Sequence, residues 1–165
     1  MRRVVMVLLL AVVATVPAPT AAAAPPVVVG LWVRPLAGEP VVSRPFDRPP
    51  GPYAAGHRGV DLAGTAGEPV LAAGAGVVAF AGLVAGRPVV SVQHADGLRT
   101  TYEPVQPTVA AGQVVARGSP LGALLTGHAG CPAEACLHWG LRRGGTYLDP
   151  LWLLRPPRVR LLPWG

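Results

Sequence analysis

Along most of this chain the apolar residues come in short runs, punctuated again and again by glycine and proline. After the first 24 residues no window repeats at helical spacing, so the pattern is that of short strands and turns. Extended segments are predicted over residues 41–46, 70–73, 77–81, 89–94, 98–103, 113–116, 121–125 and 137–142. Ala95-Asp96-Gly97 lies between two of them and carries the chemistry of a hairpin turn. Residues 47–56 hold three prolines and two glycines and are predicted as a loop leading into His57. One apolar run is different. Residues 4–16 are unbroken, follow Arg2-Arg3 and precede the small residues Ala21-Ala22-Ala23. That layout is a secretory signal over 1–24, too short for a comfortable membrane span; an uncleaved anchor is the alternative. The rest divides into a proline-rich, poorly ordered lead-in at 25–40, one β domain at 41–154 and a Pro/Arg tail at 155–165.

Composition narrows this further. With 165 residues, one compact domain is expected, and 21 glycines and 20 prolines suit an all-β fold of short strands. All 14 basic residues are arginine, and the formal charge is +6. Loss of Arg2 and Arg3 with the signal lowers it from +6 to +4, still a surface for an anionic polymer such as a cell wall. Nucleic acid is not the expected partner, because basic and aromatic residues do not interleave and no recognition motif is present. No stable span is expected after signal cleavage, and the sequence identifies no protein partner. The glycine-spaced strands superficially suggest a biotinyl or lipoyl carrier. A carrier needs an attachment lysine, and this chain has none.

His57-Arg58-Gly59-Val60-Asp61 sets an imidazole and a carboxylate four residues apart. Gly59 and the β-branched Val60 disfavour a helix, whereas an extended strand also puts residues of even separation on one side. Zinc accepts nitrogen and carboxylate oxygen together and needs a further ligand, for which His138 is the candidate. Taken singly, each residue has an ordinary reading: Asp61 in a turn, His138 packed beside Trp139.

The surroundings change that balance. His57-Arg58-Gly59-Val60-Asp61-Leu62-Ala63, Gly67-Glu68-Pro69-Val70, Gly76-Val77-Val78, Gln93-His94-Ala95-Asp96-Gly97, Gly112-Gln113-Val114-Val115, Leu137-His138-Trp139-Gly140 and Asp149-Pro150-Leu151 occur in order. Together they resemble the lysostaphin/LytM-type zinc endopeptidases over about residues 38–154. The resemblance implies a β barrel-sandwich of duplicated hybrid motif type. It implies zinc held by His57, Asp61 and His138, with an open position for water, and peptidoglycan as substrate. The chain departs from the family at two positions. Cys136 stands where the family carries the first histidine of His-x-His, and Pro104 where it carries the histidine of Tyr-x-His.

Candidate replacements for acid–base work are His128, on the loop before Cys136, and Glu103. Strand alternation places Glu103 on the face opposite to Tyr102 and position 104, which are taken as the site's side. Tyr102 and Arg142 are candidate substrate contacts, each with an ordinary packing or solvent-facing alternative. Cys131 and Cys136 form a disulfide by default in an exported protein, the alternative being Cys136 as a fourth zinc ligand. The expected function is that of an exported, cell-envelope zinc endopeptidase cutting peptide cross-bridges in peptidoglycan. The alternative is a catalytically degenerate relative that binds wall or regulates other wall hydrolases.

Overall fold

The computed structural model describes residues 32–155 except Pro52. The signal at 1–24, the start of the lead-in and the tail beyond 155 lie outside the described residues. The strands are β1 (Val42–Arg44), β2 (Gly59–Gly64), β3 (Pro69–Leu71), β4 (Gly76–Val84), β5 (Arg87–Gln93), β6 (Leu98–Glu103), β7 (Val105–Pro107), β8 (Val114–Val115), β9 (Pro120–Leu124), β10 (Ala135–Arg143) and β11 (Thr146–Leu148). The only helical elements among the described residues are 3-10 turns at Ala95–Gly97 and Pro150–Leu154. Each predicted segment falls on a strand, and the Ala95–Gly97 turn joins the antiparallel pair β5 and β6. Gly97 sits there at φ +71°, a conformation that costs glycine little. Three strands lie outside those eight segments: β2 matches the extended reading of residues 57–61, and β7 and β11, each three residues long, have no predicted counterpart.

An eight-stranded antiparallel sheet runs β1-β2-β10-β6-β5-β4-β8, with β11 paired to β10. A second sheet, β3-β9-β7, contributes Val70, Leu121, Leu124 and Val105 to the core. The large sheet meets them with Val60, Leu62, Leu137, Trp139, Tyr102, Val90 and Val92. This is the expected all-β barrel-sandwich. Alternation along β10 does the sorting: Leu137 and Trp139 are fully buried in the core, so His138 must point to the other face. Asp149-Pro150-Leu151 closes the domain by capping. The Asp149 carboxylate accepts the Leu151 N–H at 3.0 Å, and Leu151, Leu153 and Leu154 pack on the core.

The lead-in differs from expectation. Within its described part, 32–40, the stretch 32–36 is packed rather than loose. Val33 N–H donates to Ala73 O at 2.9 Å, and Leu71 N–H donates to Pro35 O at 2.8 Å. Leu36 is 2 % exposed, and Trp32 lies edge-on to the His94 ring at 4.8 Å. Prolines mark a segment that cannot donate into a ladder, but they do not prevent it from lying against one and accepting. Leu36→Ala is therefore expected to destabilise the domain by about 2–5 kcal/mol in chemical denaturation, as for other core leucines. A loose lead-in would register no change.

Candidate metal centre

The site is built on the face of the large sheet that turns away from the core. In β10, His138 is paired in register with Asp61 of β2 on one side and Glu103 of β6 on the other. Directly paired residues share a face, so all three side chains emerge together. His57 precedes β2. Its backbone forms an isolated bridge with Asp47, through Asp47 N–H to His57 O at 3.1 Å and His57 N–H to Asp47 O at 2.7 Å. Gly59 leaves room for the His138 ring: a Cβ there would come within 2.8 Å of His138 Nε2.

Three ligand atoms converge. His57 Nε2 lies 2.9 Å from Asp61 Oδ1 and 3.0 Å from His138 Nδ1, and His138 Nδ1 lies 2.9 Å from Asp61 Oδ1. These are the residues among those described whose donor atoms could jointly hold a metal ion. Bonds of about 2.0–2.2 Å at tetrahedral angles place donors about 3.3 Å apart, so an outward shift of a few tenths of an ångström completes the fit. The tautomer fits as well. His57 Nδ1–H donates to Pro45 O at 2.7 Å, which leaves the Nε2 lone pair facing the centre of the triangle. Crowding two ring nitrogens and a carboxylate oxygen at these distances suits a shared cation better than a shared proton.

Burial protects the group. His57 and Asp61 are about one-twentieth exposed, while the His138 side chain is 19 % exposed toward a cleft of about 500 Å³. Burial alone would raise the Asp61 pKa. The hydrogen bond from His138 and the positive potential of His128 and His57 outweigh it and hold the carboxyl below its usual value. Asp61 is thereby kept ionised, as a ligand must be.

The expected site residues distribute unevenly. His128 reaches the group from its loop: its Nε2 is 3.4 Å from Asp61 Oδ1, and its ring lies 15° from parallel to His138 at 6.2 Å. Cys131 and Cys136 are joined as a disulfide with a Cα–Cα distance of 5.6 Å, so Cys136 is not a metal ligand. Glu103 does lie opposite Tyr102 across the sheet, but the site's face is that of Glu103. Its carboxylate pairs with Arg87 on the cleft wall. Tyr102 is corrected accordingly. It is fully buried on the core side, its hydroxyl accepting from Ala73 N–H at 2.9 Å and from Thr100, and its pKa is pushed up to about 12, chiefly by burial. Arg142 is also displaced from the expected role. It emerges at the β10–β11 hairpin, donates to Gly144 O at 3.1 Å and does not line the cleft. The arginines that do are Arg44, Arg58 and Arg87, with cis-Pro104 beside them. They escaped sequence reading because each comes from a different part of the chain and none belongs to a spaced motif. His94, read as structural, is buried and spans Ala75 O at 2.9 Å and Thr100 Oγ1 at 2.7 Å.

Residues 55–150 match the model of peptidase family M23. The chain belongs to that family. It is 53 % identical over 133 residues to the uncharacterized protein Rv2891 of Mycobacterium tuberculosis, covering 78 % of this chain and 53 % of that one. The chain thus spans about half the length of the curated relatives it matches. Among solved structures, Helicobacter pylori Csd3 superposes with a TM-score of 0.63 at 28 % identity, over 81 % of this chain and 35 % of that one. Lysostaphin superposes with a TM-score of 0.56 at 25 % identity, over 70 % and 50 %.

A direct consequence concerns metal stoichiometry. His57→Ala, Asp61→Ala and His138→Ala are each expected to abolish tight binding of one divalent ion, read by metal analysis after dialysis. Tyr102→Phe and Arg142→Ala should leave it intact. Gly59→Val should also lose metal, because a Cβ there runs into the Trp139 carbonyl and the His138 ring and forces β2 and β10 apart at the site.

Proposed function

We propose that this chain is an exported zinc-dependent endopeptidase that hydrolyses peptide cross-bridges of bacterial peptidoglycan. The observation that carries the reading is the convergence of His57 Nε2, Asp61 Oδ1 and His138 Nδ1 within 3.0 Å of one another at the floor of an open cleft. Two histidines and one carboxylate leave a tetrahedral ion one exchangeable position, the arrangement of catalytic rather than structural sites. Zinc, when bound, acts as a Lewis acid toward a peptide carbonyl and promotes the ionisation of water.

The protein's own residues supply the rest. Pro45 O fixes the His57 tautomer, and the β2–β10–β6 register sets the direction from which His138 and Asp61 approach. Arg44, Arg58 and Arg87 rim the cleft with Glu103 as the acidic member of its lining. That excess of positive charge favours peptides bearing free carboxylates and raises their local concentration. Arg58 lies over the Tyr147 ring at 5.4 Å and donates to Ala54 O at 3.1 Å, so its guanidinium is held at the rim. Membership of family M23 supports the peptidase class. The run at 4–16 behind Arg2-Arg3 supports export.

Incubation of the zinc-loaded protein with purified cell-wall sacculi is expected to release soluble peptide fragments with new amino termini. Release should vanish with a chelator and in His57→Ala. Sacculi that bind the protein but yield no fragments at saturating zinc would replace the enzyme by a binding module. Arg44→Ala is expected to raise KM more than it lowers kcat, because its charge attracts substrate without touching the reacting atoms.

A further inference from the structure

We propose that His128 is the proton carrier of this site, and that the Cys131–Cys136 disulfide is the element that positions it. The inference rests on the hydrolytic reading above. The loop between β9 and β10 exposes Gly127, Ala129 and Gly130, yet turns the His128 side chain inward until it is 14 % exposed. Its Nδ1–H donates to Ala129 O at 3.1 Å, which turns the other ring nitrogen, Nε2, toward the ligand group, 3.4 Å from Asp61 Oδ1. His128 stands outside the trio whose donor atoms converge, so it flanks the centre instead of closing it. Glu103, the other acid–base candidate at the cleft, has its carboxylate engaged by Arg87.

Nothing in the loop's own packing explains this placement. Gly127 and Gly130 have φ of +94° and +77° and no neighbour within 4 Å of where a Cβ would sit. Such a segment loses much conformational entropy on being fixed. The restraint is covalent. Cys131 N–H donates to His128 O at 3.3 Å, Cys131 is bonded to Cys136, and Cys136 is paired in register with Ala63 of β2. Asp61 lies two residues from Ala63, and His138 two residues from Cys136. His128 is thus tied by three short links to both strands that carry ligands.

In the reaction, the water oxygen bonds to the scissile carbonyl carbon and the C–N bond breaks. His128 Nε2 takes one proton from the attacking water and passes it to the departing nitrogen. The water's second proton passes from the new carboxyl group to the freed amine, giving carboxylate and ammonium products. Such transfer is worth about 10²–10⁴-fold in rate.

The test uses the full chain with three changes: His128→Ala, His128→Gln, and the double variant Cys131→Ala/Cys136→Ala. Zinc stoichiometry and affinity should match the parent in all three, measured by titration of the metal-free protein. Release of wall fragments should fall by about 10²–10⁴-fold in both His128 variants. Added imidazole should restore part of the His128→Ala rate, which a merely structural role would not allow. In the double variant, amides of residues 126–131 should exchange faster with solvent and fragment release should drop. An active parent whose His128→Ala variant is equally fast overturns the inference and leaves the proposed function standing. Loss of zinc in that variant overturns it too, by making His128 a ligand. A parent that releases no fragments at saturating zinc overturns both. Unchanged exchange and rate in the double variant removes the role given to the disulfide.

Discussion

The register of β10 between β2 and β6 is the constraint on which the rest depends. One strand carries the largest buried side chain, Trp139, next to the exposed-face ligand His138. Its partners repeat the division: Val60 and Tyr102 lie opposite Trp139, whereas Asp61 and Glu103 lie opposite His138. A slip of one residue would exchange the two faces, burying the imidazole and exposing the indole. The hydrophobic core therefore sets the aim of the candidate metal ligands, and stability and site geometry are specified by the same hydrogen-bond ladder. Membership of family M23 fits a fold in which the chemistry is carried on a sheet instead of on loops alone.

Electrostatics complete what register begins. Desolvation opposes a charged Asp61, yet surrounding imidazoles keep it ionised. The imidazoles that do so are those of His138, His128 and His57. Outside this cluster the cleft wall is governed by arginine, with the Glu103–Arg87 pair at the end of β6. The fold thus sets one buried, ionised carboxylate beneath a rim of arginines.

Much of this was legible in the sequence, for reasons that differ by residue. His57, Asp61 and His138 could be grouped because their flanks carry a family-like order of glycines and short apolar runs. Strand positions were legible because each run is bounded by a breaker. What could not be read was which face of β6 serves the site. Alternation separates Tyr102 from Glu103 but does not say which side the core occupies. That is settled only by the pairing of Tyr102 with Trp139. Arg142 was misplaced for a related reason: nearness in sequence to His138 is distance in space along an extended strand. The packing of residues 32–36 was hidden because their partners, Ala73, Leu71 and His94, are remote in the chain.

The β4–β5 hairpin turns at Ala85-Gly86, with φ of +50° and +80°, and sets Arg87 on the wall of the cleft. In the sheet β6 lies between this hairpin and β10, and the hairpin carries none of the three converging side chains. The wall of the cleft and the three converging side chains are thus carried on separate strand pairs, so residues 85–86 are a place where the wall can be altered by itself.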